Sequence, residues 1–249
     1  MKPLSRGRYQ VRLAANRQDV VAAQALRHTA FWAARGKARA DGRDADVFDA
    51  QAQHVLVADQ NTGTLVACYR VQMFDGASLH HSYAAQFYDL SRLIHFPGPM
   101  LELGRFCLAP DQHDPDILRL AWGAMTRLVD AAGVGLLFGC SSFAGADPVP
   151  HAGALAGLAN RAAPEAWRPG PLAPERIDLR DLPATKKPAP LPPLLRTYLS
   201  MGGWVSDHAV IDRQMDTLHV LTGVEIAAIP AARARARRLV GGGGGGGRE

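Results

Sequence analysis

MLELGRFCL at residues 100–108, DPDILRLAWGAMTRLVDAA at 114–132 and VGLLFGC at 134–140 form the stretch whose reading decides the fold. The first segment is apolar at most positions and closes at Ala109-Pro110-Asp111, which marks a strand. In the second, Ile117, Leu120, Ala121, Ala124, Leu128 and Ala131 keep helical period. Asp114 stands where an N-cap belongs, and Gly133 where a helix stops. The third carries no charged residue, as suits a central strand covered on both faces.

Upstream, Arg8–Leu13 alternates as a half-buried strand, and a helix from Asp19 to about Arg35 stacks Val20, Ala23, Arg27 and Phe31 on one face. Arginine therefore interrupts an apolar stripe. Arg39–Asp49 reads as a charged loop, and His54–Asp59 and Thr64–Met73 as strands joined by the hairpin turn Asn61-Thr62-Gly63. Tyr83–Leu93 is expected to be a short helix leading through Pro97-Gly98-Pro99 into the strand at 100–108. Downstream, residues 145–193 are rich in Pro, Ala and Arg and read as an insertion with one helical segment near His151–Ala159. A helix at Leu194–Met201 and closing strands at Gly203–Ile211 and Thr217–Val224 follow. This order predicts an α/β fold, a mixed central sheet flanked by helices, in a single domain over residues 1–230. Residues 231–249, with Arg233, Arg235, Arg237, Arg238 and seven glycines, read as a flexible basic tail.

At 249 residues, 47% hydrophobic and 20% charged, the chain can bury a full core, which excludes intrinsic disorder. Its longest nearly uncharged apolar run, 131–140, is about half of what a bilayer crossing needs. The first nineteen residues have basic side chains but no apolar run behind them, so no secretory signal is expected and a cytoplasmic location is. Cys68, Cys107 and Cys140 are three, widely spaced, with no Cys-x-x-Cys pair, which argues against disulfides and against a metal site. The net charge of +5 is spread along the chain and aromatics are 7%, so nucleic acid is not expected. An acidic protein partner or an anionic membrane surface suits this charge at least as well.

Glu102 and Arg105 are charges inside an apolar strand, and such charges need partners or a cleft. A regular strand would point them to opposite faces, whereas a bulge at Gly104 would turn both toward one opening. A structural ion pair is the other reading. Arg27, Asp44, Asp46, Asp49 and Arg70 form a second set that could face one site, although an acidic run such as Asp46-Val47-Phe48-Asp49 is ordinarily solvated. Cys140, beside Ser141 and Ser142, invites a covalent acyl-enzyme reading, but no histidine neighbours it in sequence and cysteines of this kind usually pack. His54 and Asp59 imitate a His-x4-Asp signature, yet their odd offset in a strand puts them on opposite faces.

The chain resembles the bacterial L-ornithine N-alpha-acyltransferases, GNAT-like enzymes of ornithine-lipid synthesis related to acyl-homoserine-lactone synthases. The matching segments are Leu26-Arg27 with Phe31, Asp46–Asp49, His54–Val57, Tyr69-Arg70, Leu101–Cys107 with Pro110, and Phe138–Phe143 with Gly145 and Asp147. Leu191–Arg196 with Tyr198, Gly202-Gly203, Ala209-Val210 and Asp212 complete the series in family order, over residues 9 to 225. The resemblance implies a GNAT-like fold and transfer of a 3-hydroxy fatty acyl group from acyl carrier protein to the α-amine of L-ornithine, without a further cofactor. It implies direct attack of the amine on the thioester, with Glu102 as base and Arg105 beside it. Substrate contacts would come from Arg27, Phe31, Asp46, Asp49, Arg70, Cys140 and Ser141, with Arg105 or Arg70 on the ornithine carboxylate and Asp46 or Asp49 on its side-chain ammonium. The segment where a CoA-using GNAT cradles pyrophosphate is Asp111–Asp116, with three carboxylates and no glycine, which favours a carrier-protein donor.

The chain departs from the family pattern late, where Gln214–His219 replaces an aromatic-Asn-Thr-Thr-Asp run and puts His219 in the place of an acid. A synthase with another amine acceptor and a non-catalytic acyl-carrier or lipid-binding protein are the rival readings. The arginines of the tail would suit peripheral contact with an anionic membrane, while a solvated terminus is the plainer reading.

Overall fold

The computed structural model describes residues 1–37, 39–183 and 190–230; the expected basic tail lies outside the described residues. Strands β1 (Leu4–Arg6) and β2 (Tyr9–Leu13) precede helix α1 (Arg17–Phe31), whose N-cap Asn16 accepts from the Asp19 amide. Strands β3 (Gln53–Asp59) and β4 (Leu65–Phe74) form the expected hairpin, and Gly63, at φ 72, supplies the left-handed turn residue. The two-residue β5 (Tyr88–Asp89), β6 (Met100–Leu108) and α2 (Pro115–Ala131) come next, with Asp114 capping α2 through the Asp116 amide. Then follow β7 (Leu136–Ala144), α3 (Ala152–Leu158), β8 (Gly170–Pro171), β9 (Arg176–Asp178), α4 (Pro193–Ser200), β10 (Trp204–Val205), β11 (His208–Asp212) and β12 (Thr217–Glu225).

Two expectations need correction. Residues 83–93 are not a helix: short 3-10 turns at Ala84–Gln86 and Leu93–His95 flank β5. The Tyr83 and Ala84 amides, which a helix would leave free at its first turn, are instead taken by the Glu102 carboxylate. The strand expected over 203–211 is split at Ser206-Asp207, because the Ser206 hydroxyl donates to the His208 carbonyl and so folds the chain locally.

The chain divides into two units, residues 1–85 with 99–134, and residues 86–98 with 135 onward. In the first, β1, β2, β3, β4 and β6 pair antiparallel in that order. Its helices cover opposite faces: the Cys68 thiol lies 3.7 Å from the Ala23 carbonyl of α1, while the next residue, Tyr69, donates to the Ala121 carbonyl of α2 at 3.0 Å. On the α1 face Ala23, Leu26, Leu56, Cys68 and Cys107 form a buried cluster. In the second unit β12 pairs with β7, β10 and β11, and β11 with β9, all antiparallel. Residues 176–178, in the segment read as an insertion, thus add a strand to this sheet. One face of it packs Phe143, Leu218 and Val220 against Leu155 and Leu158 of α3 and Leu195 of α4.

Candidate active site

The site of the first unit begins with an irregularity in β6. Gly104 faces Arg70 and Cys107 faces Cys68, so two residues of β6, Arg105 and Phe106, stand against the single Tyr69 of β4. This is a β-bulge, one residue beyond Gly104, and Arg105 takes φ 53 to make it. Phe106 stacks on Tyr69 on the α2 side with ring centroids 5.4 Å apart. The extra residue leaves Glu102, Gly104, Arg105 and Cys107 all on the α1 side, the face shared by Arg70. Sequence spacing anticipated a bulge; only the pairing with β4 shows where it falls.

On that face three arginines meet three aspartates. Arg27 is 1% exposed, and its Nε donates to Asp44 at 3.0 Å while its other nitrogens donate to Asp49 at 2.8 and 2.7 Å and to the Asp44 carbonyl. Arg70 bridges Asp49 at 2.7 Å and takes both oxygens of Asp46, one of them at 2.9 Å. Arg105 closes the array, donating to Asp44 and to Asp46 at 3.1 Å each. The formal charges cancel, which is what burial of such groups requires.

The acidic segment is therefore not a solvated loop. Asp44 and Asp49 are 2% and 8% exposed, and Asp46 and Asp49 close a reciprocal capping box around the turn Val47–Ala50. Burial pushes the Asp49 carboxyl up, but the hydrogen bond and charge of Arg27, with Arg70 and Gln24, outweigh it and hold Asp49 well below the usual carboxylate range. Asp46 is lowered in the same way by Arg70 and Arg105. Two further supports lie outside the expected site residues: Gln24 was not singled out in the sequence, and His54 was set aside there as an imitation of a His-x4-Asp signature. Gln24, one turn before Arg27 on α1, donates to Asp49 at 2.9 Å, and buried His54 places its Nε2 3.1 Å from the Asp49 carbonyl. The first could have been read from its i, i+3 spacing to Arg27.

Glu102 differs from these carboxylates. It accepts the Tyr83 and Ala84 amides at 2.9 and 2.8 Å, and among the described residues it has no arginine within ion-pair distance. Burial raises its pKa to about 7 against the lowering effect of those two amides and of Arg70. Tyr83 also ties the site together laterally. The Arg105 guanidinium stands 4.9 Å from the centroid of its ring, and Phe48 meets the ring edge-on at 5.5 Å. Arg105 and Asp46 are the more exposed members of the array, with side chains 12% and 21% accessible against 1–6% for Arg27, Arg70 and Asp49.

Of the other expected residues, Phe31 is half-buried and packs on the cluster around Cys68 and Cys107. Cys140 and Ser141 belong to the second unit, on β7; Cys140 is half-buried, and the Ser141 hydroxyl is buried and accepts from Thr222 at 2.9 Å. His219, the late departure, is buried in β12 beside the Tyr88 hydroxyl.

Comparison with known proteins supplies the context for this geometry. An L-ornithine N(alpha)-acyltransferase of Rhodobacter capsulatus is 32% identical over 242 residues, covering 91% of this chain and 92% of the relative. The chain belongs to the L-ornithine N(alpha)-acyltransferase family. The family member of Brucella abortus is 33% identical over 242 residues, 90% of this chain and 86% of its own. Residues 26–123, from Leu26 through the first half of α2, match the acetyltransferase (GNAT) domain. An N-acyl amino acid synthase from uncultured soil microbes superposes with a TM-score of 0.54 at 11% identity, over 94% of this chain and all of that one, and so shares the fold. This member of the L-ornithine N(alpha)-acyltransferase family is an acyltransferase with the α/β architecture expected from its order of elements. No helix among its described residues is long and apolar enough to cross a membrane.

Proposed function

We propose that the protein transfers a 3-hydroxy fatty acyl group from acyl carrier protein to the α-amine of L-ornithine. The observation that carries the reading is Glu102, a buried carboxylate outside the arginine–aspartate array with its pKa near 7, beside the most accessible ion pair of that array, in a chain of this family. An α-ammonium with a reference pKa of about 8 must lose a proton before it attacks, and a carboxylate with a pKa near 7 can take it. The amine nitrogen then adds to the thioester carbonyl, backbone amides at the Arg105–Phe106 bulge face the developing oxyanion, and the C–S bond breaks as the amide forms, the phosphopantetheine sulfur leaving as a thiol with the proton that the nitrogen sheds. Ornithine is a zwitterion with a second ammonium, so it can insert into the exposed pair, its carboxylate on Arg105 and its side-chain ammonium on Asp46. Arg27, Arg70 and Asp49 position those two.

The start of α2 supports a carrier-protein donor. Asp114 already takes an amide there, and Asp116 is held by Arg6 and Arg119 at 2.8 and 2.7 Å, so two carboxylates stand where a pyrophosphate would sit. A phosphopantetheine arm needs no pyrophosphate cradle there, and an acidic carrier finds a chain of net charge +5. Its amphiphilic product suits peripheral contact with an anionic membrane, which co-sedimentation with anionic vesicles would test.

The deciding assay is release of carrier-protein thiol from 3-hydroxyacyl carrier protein, with L-ornithine, with S-adenosylmethionine, and with neither. Release that requires ornithine, with the amide product seen by mass spectrometry, supports the reading. Release with another amine alone would overturn the acceptor, and release from the CoA thioester alone would overturn the donor.

A further inference from the structure

Tyr83 touches both halves of the proposed chemistry, the base and the arginine–aspartate array, and all of these residues lie in the first unit. Its amide and that of Ala84 donate to the two Glu102 oxygens at 2.9 and 2.8 Å, one to each. Ser82 aims them there. It is buried and extended after the turn Leu79–His81, and its hydroxyl and carbonyl oxygens both accept the Ala85 amide at 3.3 Å, so the backbone bends round it with the two intervening amides directed at the carboxylate. The side chain of Tyr83 reaches the array. The Arg105 and Arg70 guanidinium groups stand 4.9 and 5.8 Å from its ring centroid, and Arg105 also donates to its hydroxyl oxygen.

Arg105 has the least exclusive hold on the aspartates. Its Nε donates to the Asp44 oxygen that also takes Arg27 at 3.0 Å, and a terminal nitrogen donates to the Asp46 oxygen that also takes Arg70 at 2.9 Å. Both of its own bonds are 3.1 Å long, whereas Arg27 and Arg70 each hold Asp49 as well, at 2.7 Å. An anion entering from solvent therefore draws Arg105 from Asp46 more readily than it draws the other two. Tyr83 supplies a hold that survives this exchange, because a ring and a phenol oxygen bind the guanidinium without a carboxylate for the newcomer to displace.

We infer that Tyr83 is a positioning residue for the transfer: its side chain holds Arg105 for the acceptor's carboxylate while its main chain holds Glu102 for the acceptor's amine. One residue thus sets the spacing between the two groups, and an α-amino acid, which carries amine and carboxylate on one carbon, is what that spacing selects. The inference rests on the proposed roles of Glu102 and Arg105 and adds the residue that couples them.

The test measures kcat and KM for L-ornithine and for 1,4-diaminobutane, which is ornithine without its carboxylate, in the native chain, Tyr83→Phe and Tyr83→Leu. Tyr83→Leu should raise the ornithine KM by about tenfold and leave the KM of diaminobutane and of the acyl donor in place. Its acid limb in kcat/KM should also move upward from near pH 7, because leucine keeps the space apolar while the two amides that lower Glu102 lose their anchor. Tyr83→Phe keeps the ring and should stay within about threefold of the native ornithine KM, with the native limb. A readout independent of turnover uses the native chain labelled with fluorotyrosine. The resonance absent from Tyr83→Phe should move on adding L-ornithine beside an unreactive acyl-pantetheine amide, and hold still on adding diaminobutane. Movement with both amines alike or with neither overturns the inference, as does a Tyr83→Leu chain that acylates ornithine with native KM and limb; the proposed function then stands. A native chain that acylates only some other amine overturns the proposed acceptor instead.

Discussion

Asp49→Asn isolates the structural share of the arginine–aspartate array. Asp49 accepts from Arg27 at 2.8 and 2.7 Å, from Arg70 at 2.7 Å and from Gln24 at 2.9 Å. Asparagine keeps the volume but turns an NH2 toward guanidinium donors and removes a charge from beside Arg27, which is 1% exposed. Breaking one partner of a buried pair costs about 3–5 kcal/mol, since the other charge stays buried. At roughly 2–4 °C of melting temperature per kcal/mol for a chain of this size, the expected fall is about 6–20 °C. Circular dichroism during thermal and urea unfolding measures it. The pH dependence adds a signature. Burial raises the Asp49 carboxyl, but Arg27 and Arg70 lower it by more, so its folded pKa lies below the unfolded value. Its stabilisation is present above the unfolded value of about 3.9 and is lost as pH falls through the folded value. The gap between native and variant chains should therefore hold from pH 7 to about 4 and narrow as pH falls below about 4. A variant within about 1 kcal/mol of the native chain at pH 7, or a gap that stays constant below about pH 4, would refute the assignment.

Glu102→Gln should lower kcat by about 10²–10⁴-fold, and the acid limb near pH 7 seen in the native kcat/KM profile should vanish, leaving only ionisation of the amine. Activity rises with pH through that limb because the carboxylate is the base; a native profile flat between pH 6 and 8 would count against Glu102. Gly223→Ala should cost about 1–3 kcal/mol and change the near-ultraviolet tryptophan signal, because Trp204 occupies the space that the methyl needs. Asp114→Ala should cost about 0.5–2 kcal/mol in urea unfolding by removing the α2 cap, and a loss below that range would show that the cap is idle.

The sequence by itself determined whatever depends on neighbours along the chain. The period of Ile117, Leu120, Ala121 and Ala124 with Asp114 before it makes α2, and Asn61-Thr62-Gly63 between two apolar runs makes the β3–β4 hairpin, because cap and turn chemistry act within a few residues. It also marked Arg27, Arg70, Glu102 and Arg105 as charges in apolar surroundings. Only the tertiary structure decided what those charges do. Asp44 is 17 residues from Arg27 and 61 from Arg105, so nothing local distinguishes its loop from a solvated one. The place of the bulge depends on how β6 pairs with β4, and the Tyr83 and Ala84 amides find their acceptor in a carboxylate 18 or 19 residues away. Composition shows that a buried charge must find a partner. Which partner it finds, and so whether a carboxylate is held below its usual range like Asp49 or raised to act as a base like Glu102, is set by contacts distant in sequence.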